Sequence, residues 1–228
     1  RVSYQQYTDW AKAFATSLQP AVGIIEAERR TKDAGEIALM AEACRIADLA
    51  LAEVAPTLGD GLTEAQVRNV LELRMRELGA SGPSYDTIVA AGPTNAALPH
   101  HRPDDTPLRP RDTVTTHVGA LADGYHSDMT RTFVIGEPTA EQRERYEIVL
   151  AAQLAGLAAV GPGVPAKVVD AACRDLITQA GYGDWYTHGT GHGVGLQIHE
   201  PPFHSAISED VIEQGYVVTV EPGLYRVG

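Results

Sequence analysis

The chain has very little cysteine. Its 228 residues include two, Cys44 and Cys173, which is too few for the disulfide framework of a small secreted protein. Both lie in apolar helical patterns, so we expect two buried thiols in a protein of a reducing compartment.

Long apolar runs and basic charge are also scarce. No apolar run approaches the roughly 20 residues needed to cross a bilayer, and the N-terminus lacks the pattern of a signal peptide. We therefore predict a cytoplasmic protein without a membrane partner.

The chain has 18 Lys and Arg residues against 30 Asp and Glu residues, a net charge of -12 and a pI near 5.0. Such a surface repels nucleic acid, so no nucleic-acid partner is predicted.

No histidine precedes His100, and all eight histidines lie between His100 and His204. Asp128 and Glu200 lie in the same region, and Glu221 follows it. Neutral imidazole and carboxylate groups bind divalent metals, and they also do acid-base chemistry near neutral pH. A hydrolytic metal site is the leading hypothesis.

The pattern of apolar residues and turn signals predicts two similar halves. Residues 1–31, with an amphipathic segment over 4–18, are interpreted as a linker or the remnant of an N-terminal domain, and residues 32–228 as one domain. Each half has two helices followed by strands, which predicts a pseudo-symmetric α+β domain. The predicted helices cover about 36–55, 64–78, 140–160 and 166–180, and the predicted strands cover 85–91, 113–121, 125–135, 194–199 and 216–220.

A tight turn at residues 122–124 predicts a β-hairpin. In this register His117 lies opposite Thr130 and Asp128 lies opposite Gly119, so the imidazole and the carboxylate share one face. Their Cβ atoms would be roughly 7 Å apart, close enough for both side chains to reach one ion. The alternative is a surface hairpin with two solvated polar residues.

The later histidines lie in a glycine-rich stretch. His188 and His192 have the spacing of a helical zinc pair, but the intervening Gly-Thr-Gly disfavours a helix and predicts a loop, in which one of the two could simply brace the chain. His199 falls in a predicted apolar strand, where a structural and a catalytic role are both open. Glu221 ends a predicted buried strand, and a metal ion would be a suitable partner for its charge.

Four ordered motifs together resemble the pita-bread metallopeptidases, most closely the Xaa-Pro dipeptidases and Xaa-Pro aminopeptidases. The resemblance covers residues 32–228 and implies two pseudo-symmetric helix-helix-strand-strand halves around a central curved antiparallel sheet, assembled as a homodimer. The motifs are I-V-A-A-G-P-T-N-A-A-L-P-H-H (88–101), V-G-A-L-A-D-G-Y-H-S-D-M-T-R-T-F (118–133), H-G-T-G-H-G-V-G-L-Q-I-H-E-P-P (188–202) and T-V-E-P-G-L-Y (219–225).

The resemblance also implies a chemistry. Family members hold two divalent ions, usually manganese or cobalt, whose bridging water attacks the amide carbon before proline in a peptide substrate. Transferred residue by residue, the resemblance implies metal ligands at His117, Asp128, His192 and Glu221, catalytic roles for His100, His199 and Glu221, and substrate contacts by His188, His199 and Tyr225.

Two departures from the family pattern affect the metal. His117 stands where the family has a ligand aspartate, and the last ligand glutamate of the family falls beyond Gly228, so we expect the domain to lack its last strand. The remaining ligands carry a charge of about -2, which balances one divalent ion, so a centre of one ion and a centre of two ions both remain open. The nitrogen ligand of His117 also makes zinc a more suitable ion than it would be with an aspartate there. A catalytically inactive peptide-binding protein and a metal-free creatinase-like C–N hydrolase remain alternatives.

Overall fold

The computed structural model describes residues 2–14, 17–59 and 61–227. Helices and antiparallel strands alternate along the chain, which confirms the α+β prediction. The helices are α1 (Tyr4–Ala13), α2 (Ile24–Glu28), α3 (Ala34–Val54), α4 (Glu64–Glu77), α5 (Gly92–Asn95), α6 (Ala140–Ala159) and α7 (Ala166–Gln179), with short 3-10 turns at Ala55–Thr57 and Gly183–Trp185. The strands are β1 (Gly82–Pro83), β2 (Ile88–Ala91), β3 (Thr113–Val118), β4 (Ala120–Ala122), β5 (Tyr125–His126), β6 (Met129–Val134), β7 (Gly191–Gly193) and β8 (Glu200–His204).

Capping boxes start the long helices where the sequence predicts them. The hydroxyl of Thr63 accepts a hydrogen bond from the amide of Gln66 at the start of α4, and Thr139 and Gln142 do the same at the start of α6. Each cap satisfies amide groups that have no partner inside the helix, which is worth about 1 kcal/mol. Helices α3 and α4 pack together, as do α6 and α7, so each half of the domain contains a helix pair.

The predicted hairpin has the predicted register. His117 pairs with Thr130, and Ala122 pairs with Tyr125. The two long strands are nevertheless each interrupted, because β3 ends before Gly119 and β6 begins after Asp128. At this point a Cβ on residue 119 would lie 2.0 Å from the carbonyl oxygen of Ser127. Glycine therefore allows a close backbone approach beside Asp128.

Two predicted strands of the second half are wrong. Residues 195–199 form bends, so His199 precedes β8 instead of lying in a strand, and His192 lies in β7 instead of a loop. The chain bends because Gly195 passes over a buried ion pair, where a Cβ would lie 2.7 Å from Oε1 of Glu200. Residues 216–220 contribute only an isolated bridge between Val218 and Gly193.

Cys173 is buried as predicted, but Cys44 is exposed, so the prediction of two buried thiols is wrong. Helix α3 is rich in alanine and leucine around most of its circumference, which left its buried face ambiguous. In the structure the helix buries a face that includes Ala43 and Ile46, and it exposes Ile37.

The amphipathic segment at the N-terminus is helical over a shorter range than predicted. Helix α1 ends at Ala13, and no residue of this helix is buried. Residues 15 and 16 of the predicted segment lie outside the described residues. Across the ranges that the structure describes, no helix has both the length and the apolar character needed to cross a membrane.

Candidate metal centre

Three side chains from separate parts of the chain meet in one cluster. Asp128 lies between β5 and β6, His192 is the central residue of β7, and Glu221 follows the bridge at Val218. Nε2 of His192 lies 3.4 Å from Oδ2 of Asp128 and 3.1 Å from Oε1 of Glu221. One ligand atom from each residue lies within 4.8 Å of the others. Two carboxylates and one imidazole at these distances form a suitable binding site for a divalent ion.

Hydrogen bonds behind the cluster orient His192 and Glu221. Nδ1 of His192 lies 2.9 Å from the carbonyl oxygen of Gly193, which can only accept, so Nδ1 carries a proton and Nε2 faces the carboxylates. The hydroxyl of Thr219 accepts from the amide of His192 at 3.0 Å and donates to Oε1 of Glu221 at 2.7 Å. Such outer contacts fix the direction in which ligand atoms point.

The charges of the cluster are strongly coupled. Burial lowers the pKa of His192, but hydrogen bonds to Asp128 and Glu221 outweigh burial and raise this pKa to about 10. For Asp128 the directions are reversed. Burial raises the pKa of this carboxyl, but the hydrogen bond from His192 and the charge of His117 outweigh burial, so the pKa falls below its usual value. The cluster therefore keeps a proton on His192 near neutral pH, and a cation that binds there must displace this proton.

Tyr85 and His117 cover the other oxygen of Asp128. The two rings stack with their centroids 4.4 Å apart. The hydroxyl of Tyr85 donates to Oδ1 of Asp128 at 2.9 Å and lies 3.3 Å from Nδ1 of His117. Burial, followed by the charge of Asp128, raises the pKa of Tyr85 well above 10, so the hydroxyl keeps its proton.

His117 approaches Asp128 as the hairpin register predicts, with Nδ1 3.5 Å from Oδ1. The same nitrogen lies 2.8 Å from the hydroxyl of Thr130. His117 does not belong to the group of mutually close ligand atoms that His192 and Glu221 form with Asp128. The structure thus brings together three of the four predicted ligands and places the fourth beside them.

His199 borders the cluster on the side of His192. The two imidazole rings meet edge to face, with their centroids 4.4 Å apart. Burial, followed by the charge of His192, lowers the pKa of His199. The imidazole is therefore neutral near pH 7 and can donate one hydrogen bond and accept another.

His188 and Tyr225 form a separate pair. Nε2 of His188 lies 3.3 Å from the hydroxyl of Tyr225, and Nδ1 of His188 lies 2.7 Å from the carbonyl oxygen of Gly189. Burial raises the pKa of Tyr225 to about 12, so the hydroxyl remains protonated. Within the described ranges, neither side chain makes a hydrogen bond to the three-residue cluster.

The loop that carries His188 is anchored to α7. Asp170, with a side chain only 1% exposed, accepts a hydrogen bond from Thr190 at 2.8 Å and two from Arg174 at 2.8 and 2.9 Å. The guanidinium group of Arg174 also donates to the carbonyl oxygen of His188 at 2.8 Å. This network sets the path of the chain just before His192.

His100 is exposed on the loop after α5, and the described contacts do not bring it to the cluster. The neighbouring His101 instead lies with Nε2 2.6 Å from Oε2 of Glu64, which is fully buried. Glu64 also accepts hydrogen bonds from the amide of Ala91 at 2.6 Å and from Asn95 at 3.1 Å. The carboxylate of Glu64 already has its hydrogen-bond partners. We therefore interpret the contact between Glu64 and His101 as an anchor for the loop after α5 and not as a metal site.

Sequence reasoning missed two residues that contact the cluster. Thr219 could have been found, because an extended chain places residues two apart on the same face, which puts Thr219 beside Glu221. Tyr85 gave no comparable signal, because its contact with Asp128 depends on the pairing of β1 with β4.

Residues 38–228 match the model of metallopeptidase family M24. The chain is similar to the Xaa-Pro dipeptidase of Pyrococcus furiosus, with 43% identity over 202 residues, which are 89% of this chain and 58% of that relative. Among solved structures, it resembles an Xaa-Pro dipeptidase from Bacillus anthracis, with 41% identity, a TM-score of 0.96 and coverage of 100% of this chain and 64% of the other. An X-Pro aminopeptidase from Thermotoga maritima gives 36% identity, a TM-score of 0.96 and coverage of 100% and 65%.

These similarities confirm the predicted pita-bread fold and give no support to the creatinase-like and non-catalytic alternatives. The chain spans 58% to 65% of the length of the three proteins named above.

Proposed function

The chain belongs to metallopeptidase family M24, and we propose that it hydrolyses the peptide bond before proline with the help of a divalent metal ion. The observation that supports this proposal most directly is the cluster of Asp128, His192 and Glu221, whose ligand atoms lie within 4.8 Å of one another. Relatives with about 40% identity over most of the chain carry the name Xaa-Pro dipeptidase.

The donors of the cluster fit a divalent ion. Two carboxylates supply the negative charge that one such ion needs, and the hydrogen bond to Gly193 directs Nε2 of His192 toward them. Bound there, the ion would supply an activated water and polarise the substrate carbonyl. Manganese or cobalt is our expectation from the resemblance, and the imidazole donors are also suitable for zinc.

The neighbouring residues would act on the substrate itself. His199 lies against His192 and is neutral near pH 7, so it can donate a hydrogen bond to the substrate carbonyl oxygen as charge develops there. His188 and Tyr225, which contact each other, would line the substrate pocket. His100 would approach the leaving proline nitrogen from its exposed loop. Glu221 would bind the ion and accept a proton from the attacking water.

The test is a panel of small peptides offered to the metal-loaded chain. We expect hydrolysis of Xaa-Pro dipeptides with Mn²⁺, Co²⁺ or Zn²⁺, little hydrolysis of Xaa-Ala dipeptides, and loss of activity on chelation that the metal restores. Tripeptides of the type Xaa-Pro-Yaa separate an aminopeptidase, which cleaves them, from a dipeptidase, which does not. Activity that survives strong chelation would contradict the proposal.

Two further expectations complete the proposal. We expect a cytoplasmic homodimer, by analogy with the family. Light scattering during gel filtration would give the mass of the assembly and would contradict the dimer if it returned the mass of a single chain.

A further inference from the structure

We infer that Lys32, which lies just before α3, is a positioning residue for His199. Its ammonium group holds Glu200 in a buried ion pair, and Glu200 directly follows His199 in the chain. The ring of His199 lies against His192 of the metal centre. This role rests on the proposed function, in which His199 donates a hydrogen bond to the substrate.

The ion pair of Lys32 and Glu200 is well fixed. Nζ and Oε1 are 2.6 Å apart, and the two side chains are buried. Nζ also donates to the carbonyl oxygen of Arg30 at 3.2 Å, and the amide of Lys32 donates to the carbonyl oxygen of Gly215 at 2.9 Å. Separating two charges that are buried this deeply is costly. The pair therefore holds the side chain of Glu200 in place.

The bend that leads to His199 lies directly on this pair. A Cβ on Gly195 would be 2.7 Å from Oε1 of Glu200 and 2.9 Å from Cε of Lys32, so the backbone of the bend touches both charged side chains. The carbonyl oxygen of Gly195 accepts a hydrogen bond from the amide of His126 at 3.0 Å. The bend is thus held between β5 and the ion pair.

Apolar side chains of the same region contact α3. Ile198 packs against a buried cluster of Met40, Tyr125 and Val194. Met40 belongs to α3, which begins just after Lys32. The start of α3 therefore contacts the bend twice, once through the charge of Lys32 and once through an apolar side chain.

The position of His199 matters because a hydrogen bond to a developing charge depends on distance and direction. A misplacement of about 1 Å in an active site can reduce the rate roughly a hundredfold. Without Lys32, the carboxylate of Glu200 keeps Arg29 as its ionic partner at 3.2 Å, and Arg29 is partly exposed. We expect Glu200 to shift toward Arg29 and the bend with His199 to shift with it.

The test is a double-mutant cycle on the hydrolysis of an Xaa-Pro dipeptide by the metal-loaded chain. We expect Lys32→Met to lower kcat by about tenfold or more while KM changes little, because His199 acts on charge that develops in the transition state. In a His199→Gln background, Lys32→Met should leave kcat nearly unchanged, since the residue through which Lys32 acts is already absent. Metal affinity, measured by calorimetry, should stay near the wild-type value in Lys32→Met.

The matched control is Arg30→Met, which removes a second ion pair of the same segment, formed with Asp210 at 3.1 Å between partly exposed side chains. It should keep the wild-type kcat. If Lys32→Met does not fold, the double variant Lys32→Met/Glu200→Met replaces it in the cycle, because that variant leaves no buried carboxylate behind.

Three outcomes would overturn the positioning role and leave the proposed peptidase intact. They are a wild-type kcat in Lys32→Met, an equal loss of kcat in the wild-type and His199→Gln backgrounds, and a loss of metal affinity that matches the loss of kcat. No turnover by the metal-loaded wild type would overturn the proposed function as well.

Discussion

His192 and Glu221 lie with Nε2 and Oε1 3.1 Å apart, and the hydroxyl of Thr219 links them from behind. This arrangement joins β7 to the chain segment after Val218, so the cluster forms only when the second half of the domain is folded. The metal affinity and the stability of this half should therefore depend on each other.

Metal affinity should rise with pH, because the proton on His192 competes with the ion. The pKa of His192 is raised to about 10, so below this pH each ion that binds must release that proton. One released proton corresponds to a roughly tenfold loss of affinity for each unit by which the pH falls.

Calorimetric titrations between about pH 6.5 and about pH 8.5, in buffers of different ionisation enthalpy, would measure the released proton directly. His192→Gln should bind the ion more weakly and lose this slope. An affinity independent of pH in the wild type would show that His192 does not carry the proton.

Thr219→Val should weaken metal binding without unfolding the protein. The substitution keeps the shape of the side chain but removes the hydrogen bonds to the amide of His192 and to Glu221. Outer contacts of this kind are typically worth tenfold to a hundredfold in metal affinity. The matched control is Thr57→Val, which removes a hydroxyl contact to the carbonyl oxygen of Val54 far from the centre. Equal affinity in the two variants would contradict the role of Thr219.

Asp170→Ala should destabilise the protein by about 2–4 kcal/mol, because it removes the buried carboxylate that accepts hydrogen bonds from both Arg174 and Thr190. Thermal or denaturant unfolding measures the loss. Asp175→Ala on the exposed face of the same helix is the control and should change the stability little. If the two variants unfold alike, Asp170 does not anchor the loop that carries His188.

The buried pair of Lys32 and Glu200 should respond differently to single and double substitution. Their Nζ and Oε1 atoms are 2.6 Å apart, with side chains 2% and 5% exposed, and Arg29 supplies a second contact to Glu200 at 3.2 Å. Lys32→Met leaves the buried carboxylate with the weaker partner alone and should cost about 2–4 kcal/mol.

The double variant Lys32→Met/Glu200→Met should recover part of the stability lost by Lys32→Met, since the buried carboxylate is then gone and Arg29, which loses its partner, has a side chain 23% exposed to water. Arg102→Met is the control, because Arg102 and Asp86 form an exposed pair, and it should leave the unfolding midpoint unchanged. A double variant less stable than either single one would contradict this account of the pair.

Local signals in the sequence predicted much of this architecture. The capping boxes at Thr63 and Thr139 start helices in the structure, and the turn at residues 122–124 fixes a register that places His117 opposite Thr130. These features are readable because a cap or a tight turn depends on residues a few positions apart.

Features that depend on distant contacts could not be read in the same way. The bends at residues 195–199 follow from the ion pair of Lys32 and Glu200 beneath them. The contact between Tyr85 and Asp128 follows from the pairing of β1 with β4. The exposure of Cys44 reflects a helix whose apolar residues do not mark one face. In each case tertiary contacts decided what the local pattern left open.

The most direct test of the proposed function compares proline release from an Xaa-Pro dipeptide by the metal-loaded wild type and by Glu221→Gln. The variant keeps the size of the side chain but removes the charge that lies 3.1 Å from His192. We predict metal-dependent turnover in the wild type and a loss of at least about a hundredfold in the variant. Equal turnover by the two proteins, or no turnover by a wild type that has bound its metal, would contradict the proposed function.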